Sequence, residues 1–200
     1  MMKLMSTPAS PYVRKVLVTA HELGIADSIE LVTTRTNGNR ALYERNPVGK
    51  IPTLILDDDT VLFDSPVICE YLNANHGAGR LLPEGKARWP ALCLQALADG
   101  ILDAGLLARL ELRRGPDMLE DQLEFQLDKA RRGMDRLEAQ AAHFGDTFGS
   151  AEIAVACAVG WLGFRFAQQH WLDDRPTLRR WQERVEQRPS MRATVPVELP

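Results

Sequence analysis

The pattern of apolar residues in this chain changes once, near residues 77–86. Before this segment, short runs rich in β-branched residues alternate with runs of helical periodicity, and beyond it only helical periodicity remains. The segment itself holds three glycines and one proline. Alternating strands and helices predict an α/β domain, whereas helices alone predict a bundle. We therefore expect two domains, at residues 1–78 and 87–200, joined by a linker at about 77–86.

The first domain is expected to follow the order βαβ-αββα with a mixed sheet. The predicted elements are strand 3–5, helix 11–23, strand 29–33, helix 40–45, strands 53–56 and 61–63, and helix 65–75. The last two strands flank the polar run Asp57 to Thr60, which predicts a hairpin. Pro11 and Pro66 each stand at a favourable first helical position. This half of the chain therefore has the composition of a small α/β domain.

The second domain is expected to be all-helical. Helical patterns cover 87–114, 117–144, 151–169 and 176–187, and residues 153–164 are apolar nearly all round. Such a helix lies at the centre of a bundle. The same stretch is the longest apolar run by inspection, and it is shorter than the roughly 18 residues that a membrane helix needs. We therefore expect no membrane span.

Charge and cysteine content exclude several classes of function. The formal net charge is -3 and no basic stripe occurs, so nucleic acid is not an expected partner. Cys69, Cys93 and Cys157 lie far apart, without the spacing of a metal or dithiol site. We expect all three to be buried packing residues, no metal to be bound, and the protein to lie in a reducing cytoplasm. No secretory signal pattern is seen at the N-terminus.

Four segments of the chain resemble the glutathione S-transferase family, in matching order and spacing. They are SPYVRKV at 10–16, NPVGKIPTLILDDDTVLFDSPVICEYL at 46–72, SAEIAVACAVGWLGFR at 150–165 and RPTLRRWQERVEQRPSM at 175–191. The resemblance implies a thioredoxin-like N-terminal domain followed by a helical bundle, and a homodimer. It also implies a bacterial-type cytosolic member with a serine-type active site, similar to the tau and zeta classes.

The middle segment carries the predicted glutathione site. A proline after Ile51 can adopt the cis form at a cost of only about 0.5–1 kcal/mol, which would leave the backbone of Ile51 free to pair with a peptide ligand. Asp64 and Ser65 precede a helix, where a carboxylate is readily bound. The resemblance implies that Lys50, Ile51, Pro52, Asp64 and Ser65 bind glutathione. Taken alone, Ser65 is better explained as an N-cap and Lys50 as a solvated loop lysine, and the ordered motif context favours the binding roles.

Ser10 is the predicted catalytic residue. Related thioredoxin-like reductases carry C-P-Y-C where this chain has Ser10-Pro11-Tyr12-Val13, so dithiol exchange by the protein's own cysteines is excluded. A hydroxyl at the start of a helix could instead hold the glutathione sulfur as a thiolate. The alternative is that Ser10 only caps the helix.

The second substrate is expected to meet the first long helix of the C-terminal domain. Tyr12, Asp103 and Leu107 are the candidates for this electrophile pocket, and Asp99 shares a helix face with Asp103 at spacing i, i+4. The alternative for both acids is that they satisfy helix ends or pair with arginines.

The resulting prediction is a glutathione transferase that uses glutathione as co-substrate and attacks small hydrophobic electrophiles. Two alternatives remain open at this point. One is a glutathione-dependent isomerase or dehalogenase that uses the same thiolate on a different acceptor. The other is a non-catalytic glutathione-binding or ligand-binding protein of the same fold.

Overall fold

The computed structural model describes residues 1–198, and the chain divides into two compact units. One unit contains Met1–Pro83 together with the chain from Arg188 on, and the other contains Glu84–Gln187. The first is an α/β unit and the second is all-helical, as the change of pattern predicts. The C-terminal segment joins the first unit, although the sequence pattern grouped all of residues 87–200 together.

A four-stranded mixed sheet forms the centre of the first unit. Its elements are β1 (Met2–Ser6), α1 (Pro11–Leu23), β2 (Ile29–Thr33), α2 (Arg40–Arg45), β3 (Thr53–Ile55), β4 (Val61–Leu62) and α3 (Ser65–His76). The strand order is β2-β1-β3-β4. β1 and β2 are parallel, so the chain must cross over between them through α1, whereas β3 pairs antiparallel with both β1 and β4. The predicted βαβ-αββα order and the hairpin are confirmed.

Local signals at both ends determine the first helix. Ser10 caps α1 with its side chain, and Pro11 follows at the first position. Gly24 ends the helix in the left-handed conformation at φ 75°, which a residue without Cβ adopts without steric cost. Val13 and Val16 are fully or nearly fully buried, and α1 packs against α3. The predicted helix 11–23 and its apolar face are therefore confirmed.

The short helix α8 (Pro189–Arg192) packs against α1. Glu22 of α1 accepts hydrogen bonds from Arg188 Nε at 3.0 Å, from Arg188 Nη2 at 2.7 Å and from the Ser190 hydroxyl. Arg14 Nη2 donates to the Met191 carbonyl at 3.1 Å. Burial alone would raise the pKa of Glu22, but the hydrogen bonds from Arg188 and Ser190 and the charges of Arg188 and Arg80 outweigh it and lower that pKa. These contacts hold the C-terminal segment on the first unit.

The variant Glu22→Gln is expected to lower the free energy of unfolding by about 1 kcal/mol at pH 7, since it removes a partly exposed charge-assisted pair. Because the native pKa of Glu22 is lowered, this stabilisation is present above the ordinary carboxyl pKa and is lost as the pH falls through the native value. Urea unfolding at pH 7 and at pH 3 measures the difference. Glu30→Gln, at an exposed position of β2, is the control. If the free energies of unfolding of wild type and Glu22→Gln differ by the same amount at both pH values, this prediction is wrong.

The second unit consists of four long helices. They are α4 (Arg88–Leu112), α5 (Glu120–Ala141), α6 (Ser150–Arg165) and α7 (Pro176–Val185). α6 is buried on nearly all sides along its first three turns, as predicted for the central helix. Its first turn is fixed by Glu152, whose carboxylate accepts from the Gly149 N–H at 3.0 Å. Glu138 of α5 likewise accepts from the first two free N–H groups of α7, at Thr177 and Leu178. The Glu138 contacts thus tie the start of α7 to α5.

The helix α4 departs from the expectation for one cysteine. Cys93 is exposed, whereas Cys69 and Cys157 are buried as expected. The prediction for Cys93 was wrong because burial depends on which face of α4 meets α5 and α6. Together with the preceding turn, α4 forms a helical run at 85–112 that is long and apolar enough to cross a membrane, since an 18-residue window of it has a mean hydropathy of 1.5. One such helix is weak support for a span, since core helices of bundles have the same composition.

Candidate functional site

The sheet topology brings three predicted site segments of the first unit to the same edge. Ser10 follows the carboxyl end of β1. β3 runs antiparallel to β1, with Thr53 opposite Met5, so Ile51 and Pro52 precede β3 at this same edge. β4 reverses direction again, so Asp64 and Ser65 follow it there too. A ligand at this edge would be within reach of residues from all three connections.

Among the described residues, the Ser10 hydroxyl group accepts a hydrogen bond but donates none. Its oxygen accepts a hydrogen bond from the Val13 N–H at 3.3 Å, which confirms the capping role. A hydroxyl oxygen that accepts can still donate its own proton. Among the residues that the structure describes, this proton has no acceptor, and Ser10 is only half-buried. Capping and donation to an external group are therefore compatible at this residue.

The loop before β3 is held by two buried polar side chains that the sequence interpretation missed. Asn46 and Thr53 are both 0% exposed. Asn46 Nδ2 donates to the Lys50 carbonyl at 3.0 Å, and Thr53 Oγ1 donates to the same carbonyl at 2.9 Å. Asn46 also donates to Thr53 Oγ1 at 3.1 Å. An Asn-Pro pair reads as an ordinary turn signal in a sequence, so only the folded contacts reveal this network.

The network presents Lys50 and Ile51 at the surface. The Lys50 side chain is exposed, and Ile51 is half-buried. The Ile51–Pro52 peptide bond is cis, as predicted. β3 begins only at Thr53, so Ile51 lies outside the ladder. Its backbone N–H and C=O make no hydrogen bond within the described part of the chain, and both groups are available to a peptide-like ligand.

The sequence left open whether Ser65 caps α3 or binds a ligand, and the structure gives the capping role to Asp64. Asp64 is the N-cap of α3, because its carboxylate accepts from the Ser65 N–H. The Ser65 side chain is 0% exposed, and its oxygen has no hydrogen-bond partner among residues 1–198. Ser65 is therefore not the capping side chain. A buried hydroxyl without a partner is costly and needs an explanation.

The predicted pocket residues lie in both units. Tyr12 is half-buried on α1 of the first unit. Asp103 and Leu107 are exposed on α4 of the second unit, with Leu107 at 49%. Asp99 is half-buried on the same helix. Their role in binding an electrophile remains a prediction.

A shallow groove of about 700 Å³ lies at the opposite edge of the sheet. It is lined by residues of the β1 start, the turn before β2, the β3–β4 hairpin and α3: Met1, Met2, Ser28, Leu56, Asp57, Asp58, Tyr71 and His76. None of the predicted site residues contributes to it. Within residues 1–198, no group of three or more His, Cys, Asp or Glu side chains is arranged to hold a metal ion.

Two family models cover most of the chain. The model described as "Glutathione S-transferase, N-terminal domain" matches residues 9–75, and "Glutathione S-transferase, C-terminal domain" matches residues 104–184. The chain belongs to the glutathione S-transferase family. The predicted family and fold are therefore confirmed.

The relatives of this chain include a protein whose structure was solved with bound ligands. The uncharacterized GST-like protein YibF of Escherichia coli K12 is 36% identical over 98% of each chain. A glutathione transferase family member from Pseudomonas fluorescens Pf-5, 44% identical, was solved with bound glutathione and covers 99% of this chain and 100% of its own, with a TM-score of 0.95. A second structure of it, with bound S-(propanoic acid)-glutathione, has a TM-score of 0.90 over 98% of this chain and 100% of its own.

Proposed function

We propose that this protein is a glutathione transferase of the serine type, similar to the tau and zeta classes. Ser10 holds the thiol of glutathione as a thiolate, and the thiolate attacks small hydrophobic electrophiles. The observation that carries the proposal is the hydroxyl of Ser10: its oxygen caps α1 through Val13, and its proton is left for a bound group.

Two interactions would stabilise a thiolate beside Ser10. The start of the 13-residue helix α1 offers its macrodipole, worth up to about 2 kcal/mol in favourable sites. A hydrogen bond from a hydroxyl to a charged sulfur adds roughly 1.5–3 kcal/mol. Since one pKa unit corresponds to about 1.4 kcal/mol, the two together lower the thiol pKa by about two units. Ser10 needs only to donate a hydrogen bond, and it keeps its own proton.

The rest of glutathione is assigned to the same edge of the sheet. The γ-glutamyl carboxylate is placed at the start of α3, where a χ1 rotation of the buried Ser65 hydroxyl would supply a donor. The cysteinyl backbone pairs with Ile51, which the cis Pro52 holds outside the β-ladder. Lys50 is exposed and attracts the glycyl carboxylate. The crystal structure of the Pseudomonas relative with glutathione supports this ligand.

The reaction is a displacement or an addition at carbon. The thiolate forms a C–S bond with the acceptor, and either a leaving group departs with the bonding pair or a double bond takes a proton from water. The relative's S-(propanoic acid)-glutathione is a thioether of this kind and supports conjugation. We assign Tyr12, Asp103 and Leu107 to the acceptor side. We further propose that the protein is cytoplasmic and that it forms a homodimer. The homodimer is supported by Leu106 and Leu110, which expose apolar surface on α4.

A conjugation assay tests the proposed function. The protein is first passed over immobilised glutathione and then tested with aryl halides, epoxides and α,β-unsaturated acids in the presence of glutathione. Retention together with turnover supports a transferase. Retention without turnover of any electrophile would instead favour a glutathione-binding protein, and absence of retention would contradict the proposed site.

A further inference from the structure

Tyr43 of α2 contacts two loops of the first unit. Its hydroxyl accepts from the Gly38 N–H at 2.7 Å and donates to the Thr36 carbonyl at 2.9 Å, and both partners lie in the loop between β2 and α2. Its ring faces the loop before β3, because a Cβ on Gly49 would lie 2.7 Å from Tyr43 Cε1 and 3.1 Å from Cδ1. Tyr43 therefore links the two loops.

Both loops lie at the edge of the sheet that holds the predicted glutathione site. β2 runs parallel to β1, with Thr33 opposite Ser6, so the loop after β2 starts at the edge where Ser10 follows β1. The Thr34 N–H donates to the Ser6 carbonyl at 2.8 Å and holds the start of this loop. The loop before β3 reaches the same edge, because β3 runs antiparallel to β1. The contacts of Tyr43 are thus made at the edge where the ligand is proposed to bind.

Neither helix capping nor core packing accounts for these contacts. Asn39 already caps α2, because its side chain accepts from the Leu42 N–H at 3.1 Å. Tyr43 is 41% exposed, so its ring adds little to the core. Gly49 has a φ of 63°, in the left-handed region that favours glycine, and its missing side chain leaves the room that the ring occupies. The ring and the glycine therefore fit each other.

Tyr43 holds the loop before β3 on the side that the buried Asn46 does not reach. Asn46 and Thr53 bind the Lys50 carbonyl from the buried side. The preceding residue, Gly49, donates its N–H to the Asn46 carbonyl at 2.8 Å and packs against the Tyr43 ring. The backbone at Lys50 is thus fixed, while the Lys50 side chain is exposed. A fixed backbone limits the positions that the ammonium group can reach.

We propose that Tyr43 is a positioning residue for glutathione, which holds Gly49 so that Lys50 meets the glycyl carboxylate. This rests on the glutathione site proposed above and concerns binding only, since Tyr43 touches no reacting atom. A cation that is already held near its partner loses less conformational freedom on binding, so it binds a carboxylate more tightly. Loss of the ring should therefore weaken binding of the glycyl end and leave the γ-glutamyl end unaffected.

Isothermal titration with glutathione and with γ-glutamylcysteine, which lacks the glycyl residue, tests the proposal. The glycine preference is the Kd of γ-glutamylcysteine divided by the Kd of glutathione. We expect a preference of about tenfold or more in the wild type, and a fall of about fivefold in Tyr43→Ala through weaker binding of glutathione alone. Tyr43→Phe keeps the ring and loses both hydroxyl hydrogen bonds, so its preference should be intermediate. Tyr71→Ala, at a half-buried tyrosine of α3 in the groove at the opposite edge, is the control and keeps the wild-type preference.

A double variant separates positioning from a general loss of structure. If Tyr43 acts through Lys50, then Tyr43→Ala combined with Lys50→Gln should lower the preference no further than Lys50→Gln alone. An additive loss, or an equal loss of affinity for both peptides in Tyr43→Ala, would overturn the proposal. Urea unfolding checks that each variant is folded. If Tyr43→Ala does not fold, Tyr43→Phe takes its place in the comparison with Lys50→Gln.

Conjugation assays with the same variants separate this proposal from the transferase function. If glutathione binds but no electrophile is turned over, the transferase function fails, and a preference that is lowered in Tyr43→Ala still supports the positioning role. If conjugation occurs and wild type and Tyr43→Ala have the same preference, the transferase function stands and the positioning role is overturned. A wild type that binds neither peptide, or binds both equally well, overturns the positioning role too.

Discussion

Replacing Ser10 with alanine is expected to lower kcat/KM for conjugation by about 10- to 100-fold, because one hydrogen bond to a charged sulfur is lost. The KM for glutathione should change by less than about twofold, because the tripeptide is held mainly elsewhere. Alanine also removes the cap on the Val13 N–H, which costs about 1 kcal/mol of stability. Steady-state kinetics well below the unfolding temperature measure the two constants separately.

Two further substitutions at Ser10 separate capping from catalysis. Ser10→Thr keeps both the capping oxygen and the hydroxyl proton, and it should retain most of the turnover. Ser10→Asp keeps a capping oxygen at the start of α1 but has no proton to donate at neutral pH, so it should be stable and nearly inactive. If Ser10→Ala turns over at the wild-type rate, Ser10 is a capping residue only.

Replacing Ser65 with alanine is expected to weaken glutathione binding about tenfold, since one donor to a carboxylate is lost. The free energy of unfolding should change by less than about 0.5 kcal/mol, because no described residue loses a hydrogen bond and Asp64 remains as the cap. Isothermal titration with glutathione and urea unfolding measure the two effects.

Ser190 is the matched control for this experiment. It is also a buried serine, at 4% exposed, but its hydroxyl donates to Glu22. Ser190→Ala should therefore lower the free energy of unfolding and leave glutathione affinity unchanged, the reverse of Ser65→Ala. Unchanged affinity in Ser65→Ala would remove Ser65 from the glutathione site.

The elements of the fold could be predicted because their signals are local. Ser10, Pro11 and Gly24 mark the two ends of α1, and the apolar residues between them repeat at helical spacing. The hairpin of β3 and β4 and the nearly all-apolar α6 are equally visible in short windows. These patterns place the helices and strands within a few residues of the observed bounds.

Other features depend on residues far apart in the chain. Glu22 meets Arg188 over more than 160 intervening residues, so the return of α8 to the first unit has no local signal. The exposure of Cys93 depends on how α4 packs. No local signal indicates that Asn46 is buried and that its amide holds the Lys50 carbonyl.

The packing of α4 against α6 illustrates the same limit. A Cβ on Gly105 of α4 would lie 2.8 Å from the Trp161 ring of α6, so this glycine lets the two helices approach closely. A glycine within a helix pattern does not reveal which side chain will pack against it. The predicted residues Ser10, Ile51 and Ser65 were found through motif order, and the sheet topology gives the physical reason that they share one edge.

A pH titration of the thiol of bound glutathione tests the central claim most directly. The ultraviolet absorbance of the thiolate is followed in the complex with wild-type protein and with Ser10→Ala. We expect an apparent pKa about two units below that of free glutathione in the wild type, and a return of at least about one unit towards the free value in the variant. A wild-type complex whose thiol titrates as it does in water would contradict the account.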